Sequence, residues 1–278
     1  MVWGSNPLSV RLQAQPPLRY LHPFVMLLQT TFFVFFVFHL FLQPCFGLTG
    51  EEIQKFQTLL ADKSVGERIA FWAERFIGVP YDTDPLGEYV SKATIVLDER
   101  VDCMYLAFRT VELALSHTPE QAIQVALERR FHSKGVLKDG RVINYDDRFE
   151  YGEDMIESGK WGKEMTSEVG KTTRIAGSRG KAFVEVLSAA ALLQGIGSLK
   201  SGDLIFFAKK PGKREVGEII GHIGIVGSTE AERNQRSREI FLIHASGTKG
   251  KGGAVKKVSL KGYLSKMPFI GVKITRFQ

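Results

Sequence analysis

Apolar side chains recur at helical spacing in the first part of the chain that follows residue 48. In residues 49–78, TGEEIQKFQTLLADKSVGERIAFWAERFIG, two amphipathic runs are separated by the polar residues 62–65. Thr49 and Ser64 precede the two runs, and each is followed by a glutamate three residues later. This spacing is typical of a capping box, so the pattern predicts two helices.

The next segments alternate between loop and helix patterns. Two prolines and two glycines in residues 78–87 indicate a loop, and the short β-like run ATIVL (93–97) predicts a strand. Asp102 is a good N-cap for an apolar helix that continues to about Leu115. Residues 118–131, TPEQAIQVALERRF, predict a further helix with a threonine cap and a proline at its first position.

The second half of the chain changes character. Residues 133–182 are polar and glycine-rich with weak strand signals, and we interpret about 133–198 as an insertion that lines a binding cleft. Five short apolar or alternating runs then predict an antiparallel sheet: GDLIFFAKK, GHIGIVG, REIFLIHAS, GAVKKVSL and FIGVKITRF. Helices first and strands later indicate one α+β domain over residues 48–278.

Two histidines lie on strands that we expect to form a hairpin, 222–226 and 239–245, joined by the charged loop 228–238. If His222 lies opposite His244, Ile223 pairs with Ile243 and Ile225 pairs with Phe241. Because side chains alternate between the faces of a strand, this register places both histidines side by side on one face.

A leader is predicted at the start of the chain. Residues 24–43 carry no charged side chain and follow a short basic segment, and Phe32–Leu42 has the length of a signal-peptide core. Cys45 and Gly47 are small residues at the spacing that cleavage after Gly47 requires. A retained membrane anchor is the alternative for residues 1–47, and Met26 is a second possible start. Either interpretation implies export, to the periplasm or the cell envelope, with membrane contact only through an uncleaved leader.

The amino-acid composition narrows the classes of molecule that the protein is expected to bind. The fractions of 44% hydrophobic and 24% charged residues are those of an ordinary globular domain. The net charge is +7, and loss of the leader with Arg11 and Arg19 lowers it by two. No basic stripe is interleaved with aromatic residues, so nucleic-acid binding is not expected. EVGKTT (168–173) lacks the first glycine of a phosphate loop, so no nucleotide cofactor is expected either.

The chain has two cysteines, and removal of the leader with Cys45 leaves Cys103 alone. An unpaired thiol in an exported protein is a buried small hydrophobe, a partner in an intermolecular disulfide or a reactive group. Cys103 falls in the first turn of the helix that Asp102 begins. The unpaired N–H groups and the macrodipole at that end favour a thiolate, so we expect a thiol pKa below its ordinary value of about 8.5.

Cys103, His222 and His244 together suggest two kinds of site. One imidazole could take the thiol proton while the second ring holds the first in the required tautomer, which is the arrangement of nucleophilic catalysis. A metal site with these three ligands is the alternative. Against a metal, the chain has no CxxC or HxxxH spacing.

Five motifs in a fixed order carry a resemblance: GVPY (78–81), DC (102–103), LKSGDLIFF (199–207), GHIGIVG (221–227) and LIHAS (242–246). They resemble the NlpC-like, papain-fold cell-wall cysteine amidases, and the long segment after the cysteine resembles the N-acetylmuramoyl-L-alanine amidase branch. The resemblance implies a papain-like α+β fold in which the nucleophile begins a helix packed on an antiparallel sheet. It also implies hydrolysis of the amide between N-acetylmuramic acid and L-alanine in peptidoglycan fragments (muropeptides), without a cofactor.

The same resemblance assigns roles to residues. It implies that Cys103 is the nucleophile, His222 the general base and His244 the orienting group, with Tyr81 near the oxyanion position. Asp102, Arg148 and Tyr151 are further candidates for oxyanion or substrate binding. Asp102 adjoins the nucleophile, and Arg148 and Tyr151 lie in the insertion, where a guanidinium fork matches a peptide carboxylate.

Two residues depart from the family pattern. Met104 and Tyr105 follow the cysteine at positions where the family has small hydroxyl residues. We therefore expect a different pocket wall beside the nucleophile and a substrate that need not be the family's. A D-glutamyl-diamino acid endopeptidase and a catalytically silent wall-binding module of the same fold are the alternatives.

Overall fold

The structure is a computed structural model and describes residues 47–228, 239–248 and 252–278. Apart from Gly47, the predicted leader lies outside the described residues, as does most of the loop that joins the two histidine strands. Within these three ranges, none of the helices has the length and apolar character needed to cross a membrane.

Helices form the first part of the described chain, as the sequence predicts. Both predicted capping boxes are present, at Thr49 with Glu52 and at Ser64 with Glu67, and Thr118 caps the helix after Pro119. The five helices are α1 (Gly50–Leu59), α2 (Val65–Arg75), α3 (Glu88–Ser91), α4 (Cys103–Leu115) and α5 (Pro119–Arg129).

The strand predicted at residues 93–97 is wrong, because this segment is irregular. Its backbone finds partners outside any ladder. Thr94 N–H donates to the Tyr89 carbonyl at 2.9 Å, and Leu97 N–H donates to the Tyr105 hydroxyl at 2.6 Å. Ile95 of this run is buried in the same hydrophobic cluster as residues of helix α4. A short apolar run does not distinguish a strand from a packed loop.

The predicted insertion forms short elements around the sheet. Its strands are β1 (Leu137–Lys138), β2 (Arg141–Val142), β3 (Lys163–Glu164), β4 (Thr173–Ala176) and β5 (Phe183–Val186), and its helices are α6 (Gly152–Glu157), α7 (Thr166–Val169) and α8 (Ala189–Gln194). Strands β1 and β2 pair with each other, as do β4 and β5, while β3 joins the edge of the main sheet.

The C-terminal part forms the predicted antiparallel sheet. Its elements are β6 (Leu204–Lys209), β7 (Ile220–Val226), β8 (Phe241–Thr248), β9 (Gly252–Ser259), α9 (Leu260–Leu264) and β10 (Phe269–Arg276). Over the described residues the sheet has six strands in the order β3-β10-β6-β7-β8-β9, and each neighbouring pair is antiparallel. The mixed α+β class with an antiparallel sheet is therefore confirmed.

Both faces of the sheet are buried. Alternate residues of β6, such as Phe206 and Phe207, belong to separate hydrophobic clusters on opposite faces. Helices α2 and α4 cover the face of Phe206, and α7, α8 and α9 contribute to the cluster on the face of Phe207. This explains why β6 is apolar throughout rather than alternating.

The register predicted between the two histidine strands is wrong by two residues. Ile225 pairs with Ile243, where the prediction paired it with Phe241, and Val226 pairs with Leu242. A period-two hydrophobic pattern is the same in both registers, so it cannot distinguish them. A shift of two residues also keeps every side chain on its face, and both histidines therefore remain on one face of the sheet.

Candidate active site

Helix α4 places the Cys103 side chain next to strand β7 of the sheet. Cys103 is the first residue of the helix, and the Asp102 side chain caps it by accepting the Tyr105 N–H at 2.6 Å. Every residue from Tyr105 to Ala114 is buried, so the helix is fixed on all sides. The start of this central helix thus has a fixed position.

A β-bulge precedes His222. Strand β6 pairs Phe207 with His222 but pairs the next residue, Ala208, with Ile220, so Gly221 is an extra residue on β7. A bulge bends its strand and redirects the side chains beside it. His222 is the ladder residue next to this bulge, and its pairing with Phe207 places it on the face of the sheet that carries Phe207.

Strands β7 and β8 part where α4 begins. Among the described residues their ladder consists of two pairs, at Ile225 and Val226, although both strands continue beyond them. The N–H of Ile223, on β7, lies close enough to the Cys103 sulfur to act toward a lower pKa of the thiol. The cysteine thus lies where the two strands separate, and α4 packs against both of them.

The two histidines are joined by a hydrogen bond. Nε2 of His222 lies 2.9 Å from Nδ1 of His244, and the ring planes are nearly perpendicular at 88°. His244 is buried, with 4% of its surface exposed, while His222 is partly buried. The two ring nitrogens face each other, so the hydrogen bond couples the tautomer of one ring to that of the other.

Both imidazoles are uncharged at neutral pH. Burial, and then the nearby His244, lower the pKa of His222 to about 3. Burial, and then the Lys256 ammonium, lower the pKa of His244 to about 4. Each neutral ring carries one N–H group. In the hydrogen bond between the rings, one nitrogen is therefore the donor and the nitrogen of the other ring is the acceptor.

The predicted low pKa of the cysteine is wrong. Burial, and then the carboxylate of Asp102, raise the pKa of Cys103 to about 12, although N–H groups of Ile223, Cys103 and Met104 act in the opposite direction. Cys103 remains partly accessible at the cavity wall. The helix N-terminus favours a thiolate, but protein atoms around the sulfur and the adjacent negative charge outweigh it.

Asp102 is itself perturbed. Burial raises its pKa to about 6, against the opposing effect of the hydrogen bond from Tyr105. The carboxylate therefore serves as the helix cap and as a negative charge next to the thiol. An ionised carboxylate accepts hydrogen bonds only, so it cannot donate to an oxyanion.

Tyr81 lies beside the cysteine. Its N–H donates to the Gly253 carbonyl at 2.9 Å, and its neighbours bond to Val101, directly before the Asp102 cap. Burial, and then the charges of Cys103 and Asp102, raise the pKa of Tyr81 to about 12. Its ring packs over Gly247, where an added Cβ would lie 2.4 Å from the Tyr81 Cδ1 atom.

One cavity of about 290 Å³ joins the sequence-predicted residues Cys103, His222 and Tyr151. Arg148 is not among the residues that line it. Its guanidinium pairs at 2.6 Å with Glu150, which does line the cavity. The full lining is Cys103, Met104, Glu150, Tyr151, Gly152, Lys209, Val216, Glu218, Ile220, Gly221, His222 and Ile223.

Only one of the two departures from the family pattern reaches this cavity. Met104 lines it, but Tyr105 is fully buried and its hydroxyl donates to Asp98 at 2.8 Å. The expectation that Tyr105 alters the pocket wall is therefore wrong. A residue two positions after the first helical residue turns away from the cavity and into the core.

Three aromatic rings near the histidines were not found by sequence reasoning. Phe207 and Phe269 lie beside His222, with ring centroids 5.8 and 6.1 Å away, and Tyr263 lies 4.8 Å from His244. Phe207 is directly opposite His222 in the ladder, so a correct pairing of β6 with β7 would have found it. Tyr263 belongs to a five-residue helix that no hydrophobic period marks.

The alternative of a metal site gains no support from the geometry. Nε2 of His222 and Nδ1 of His244 point at each other rather than at a shared position. In the part of the chain that the structure describes, no group of three or more histidine, cysteine or acidic side chains could hold a metal ion.

Comparison with known proteins gives a fold and no family. No family model and no curated protein matches the sequence. An N-acetylmuramoyl-L-alanine amidase from Bacteroides uniformis is 21% identical, with a TM-score of 0.55 over 76% of this chain and 98% of that chain. A DUF1460 protein from Legionella pneumophila is 18% identical, with a TM-score of 0.59 over 81% of this chain and 93% of that chain.

A third solved structure has a different name. A Bacteroides fragilis protein provisionally named a xylanase is 18% identical, with a TM-score of 0.54 over 75% of this chain and 100% of that chain. At these identities the likeness shows the fold alone, and the names of the neighbours differ. Function therefore has to be argued from the site, because one fold supports many activities.

Proposed function

We propose that this protein is a cysteine-dependent amidase of the NlpC-like, papain-fold type that cleaves the amide between N-acetylmuramic acid and L-alanine in muropeptides. One observation carries the proposal: Cys103 and His222 line a single cavity, and His222 is hydrogen-bonded to His244. The motif resemblance and the named activity of the Bacteroides uniformis neighbour support the choice of substrate.

In the first step the Cys103 sulfur attacks the carbonyl carbon of the scissile amide. The thiol proton passes to Nδ1 of His222, and the carbonyl oxygen becomes an oxyanion. This requires the tautomer in which His222 carries its proton on Nε2 and donates it to Nδ1 of His244. His244 thus holds His222 in the form that leaves Nδ1 as the proton acceptor.

The tetrahedral intermediate then collapses. The C–N bond breaks, His222 returns the proton to the departing amine of L-alanine, and a thioester of the lactyl group remains on Cys103. Water next attacks the thioester carbonyl while His222 takes its proton. The C–S bond breaks, the free lactyl carboxyl group is released, and the proton returns to the sulfur.

Two groups near Cys103 can donate a hydrogen bond to the oxyanion. The first N–H groups of a helix have no intrahelical partner, and Cys103 is the first residue of α4. The Tyr81 hydroxyl carries its proton at neutral pH, and burial, followed by the charges of Cys103 and Asp102, raises its pKa further, to about 12. We assign the Cys103 N–H and the Tyr81 hydroxyl to the oxyanion.

The resting pair is a neutral thiol and a neutral imidazole. The pKa of Cys103 is raised to about 12 by burial and by Asp102, while burial lowers that of His222 to about 3. The thiolate and imidazolium therefore form during attack rather than beforehand. His222 acts as a general base on a bound substrate.

The insertion supplies the far wall of the cavity. Tyr151 lines it, and the guanidinium of Arg179 lies 3.7 Å from the centre of the Tyr151 ring. Arg179 in turn pairs with Asp154 at 2.9 Å, which fixes the Arg179 guanidinium against the Tyr151 ring. We assign Tyr151 to substrate contact, and we no longer expect Arg148 to bind a substrate carboxylate, because Glu150 occupies it.

We further propose that the protein works in the cell envelope. The uncharged segment 24–43 after a short basic stretch supports export, and the proposed substrate is a wall fragment.

Mass analysis of purified protein incubated with muropeptides tests the activity. We expect a free peptide that begins with L-alanine and a sugar that ends in a free lactyl carboxyl group, and neither product with Cys103→Ser. Cleavage at the D-glutamyl bond would instead identify the endopeptidase. Intact muropeptides in wild type and variant alike would identify a silent wall-binding module.

A further inference from the structure

Tyr263 is held against the face of the sheet that carries the two histidines. It lies on α9, which follows β9 directly and is capped by the Ser259 side chain. Leu260 and Leu264 of this helix are buried, and the Leu260 N–H donates to the Ile240 carbonyl at 2.8 Å. These anchors fix the direction in which the Tyr263 ring points.

The ring contacts both imidazoles. Its centroid lies 4.8 Å from that of His244, in an edge-to-face arrangement at 61°, and 6.2 Å from that of His222. Edge-to-face contacts at such distances are favourable and orient the rings that form them. The charge of Cys103 contributes, after burial, to the raised pKa of Tyr263, about 12, so the ring is also close to the thiol.

His244 needs a contact of this kind because the sheet alone does not orient it. The ladder with β7 is confined to residues before it, at Leu242 and Ile243. On the other side His244 pairs with Lys256 of β9, whose long side chain is exposed. His222 differs, since Phe207 and Phe269 both lie beside it.

We propose that Tyr263 is a positioning residue whose ring holds His244 in the orientation that accepts a hydrogen bond from His222. The inference deepens the proposed function and rests on it for its kinetic consequence. Without the ring, His244 can rotate, and the proton of His222 is then no longer confined to Nε2. A proton on Nδ1 of His222 blocks the transfer from Cys103, because that nitrogen must be free to accept it.

Two variants separate the ring from the hydroxyl. Tyr263→Phe keeps the ring, and Tyr263→Leu keeps an apolar side chain without it. Phe241→Leu is the matched control, because it removes a ring from the strand of His244 that lies beside Lys257 rather than beside a histidine.

Imidazole ¹⁵N NMR of the full chain at neutral pH reads the tautomers directly and needs no substrate. In wild type, Tyr263→Phe and Phe241→Leu, we expect one protonated and one unprotonated nitrogen on each of His222 and His244. In Tyr263→Leu we expect averaged shifts that indicate mixed tautomers. Unchanged shifts in Tyr263→Leu would overturn the proposal, whether or not the protein is an amidase.

Kinetics with a muropeptide provide the second arm. We expect Tyr263→Leu to lower kcat by roughly 10- to 100-fold with KM unchanged, since misplacement of a catalytic group has effects of this size. Tyr263→Phe should keep most of the activity. If Tyr263→Phe loses as much as Tyr263→Leu, the hydroxyl rather than the ring matters and the positioning role is wrong.

Discussion

His222 and His244 form a hydrogen bond of 2.9 Å although they are not opposite each other in the ladder between their strands. The strands part before they reach the histidines, and the bulge at Gly221 lies next to His222. The rings can therefore meet beside the start of α4, where Cys103 lies. A regular ladder would occupy that space with backbone hydrogen bonds.

Replacement of His244 should mainly lower kcat. In His244→Leu the His222 ring loses its hydrogen-bond acceptor and both tautomers become populated, so we expect a fall in kcat of roughly 100-fold or more. His244→Gln retains an acceptor and should lose less. The check is kcat and KM for one muropeptide, with melting temperatures to verify folding. Equal activities of the Leu and Gln variants would contradict the orienting role.

The pH dependence should extend unusually far into acid. Catalysis needs His222 unprotonated, and burial lowers the pKa of His222 to about 3 and that of His244 to about 4. We expect no loss of kcat/KM from histidine protonation between about pH 5 and 8, and a fall as the pH approaches about 4. Melting temperatures at each pH separate protonation from unfolding. An acidic midpoint near the ordinary histidine pKa of about 6.5 would contradict the neutral, buried pair.

The sequence predicted the elements better than it predicted their environment. Capping boxes at Thr49 and Ser64 and the five C-terminal strands depend on local chemistry, which the chain displays directly. The register of β7 with β8 depends on a long connection and on a pattern that repeats every two residues, so two registers fit equally well.

The pKa of Cys103 likewise depends on the tertiary environment, which the local sequence does not display. Its place at the start of α4 follows from the Asp102 cap, and a helix N-terminus alone favours a thiolate. Burial of the thiol results from the packing of α4 against strands far away in sequence. Tyr263 was missed for that reason as well, because only the tertiary fold brings α9 to the histidines.

Removal of the Asp102 charge should activate the thiol. Asp102→Asn preserves a good N-cap but eliminates the negative charge that helps to raise the pKa of Cys103. We expect iodoacetamide to label Cys103 slowly in wild type at about pH 8 and several times faster in the variant. The rates can be followed by intact mass. Rapid labelling of wild type, unchanged by Asp102→Asn, would show that the resting thiol is already ionised.

The same variant should be more stable at neutral pH. Burial raises the folded-state pKa of Asp102 to about 6, so folding favours its protonated form. The stabilisation that protonated Asp102 contributes to the folded state is fully present below its unfolded-state pKa of about 3.9. It is lost as the pH rises through its folded-state pKa of about 6. Asp102→Asn should therefore raise the free energy of unfolding on the order of 1–3 kcal/mol at about pH 7.5. Urea titrations at neutral pH and at about pH 4 check this, because the gain should disappear in acid.

Gly247 should be required for the position of Tyr81. A Cβ at residue 247 would lie 2.4 Å from the Tyr81 ring and 3.0 Å from the Gly252 carbonyl oxygen. Gly247→Ala must therefore displace the ring, and we expect a fall in kcat of roughly 10- to 100-fold if the Tyr81 hydroxyl donates to the oxyanion. Gly212→Ala is the matched control, because nothing lies within 4 Å of its added Cβ. Tyr81→Phe should reproduce the loss in kcat without the steric conflict. Full activity in both Gly247→Ala and Tyr81→Phe would exclude Tyr81 from the oxyanion site.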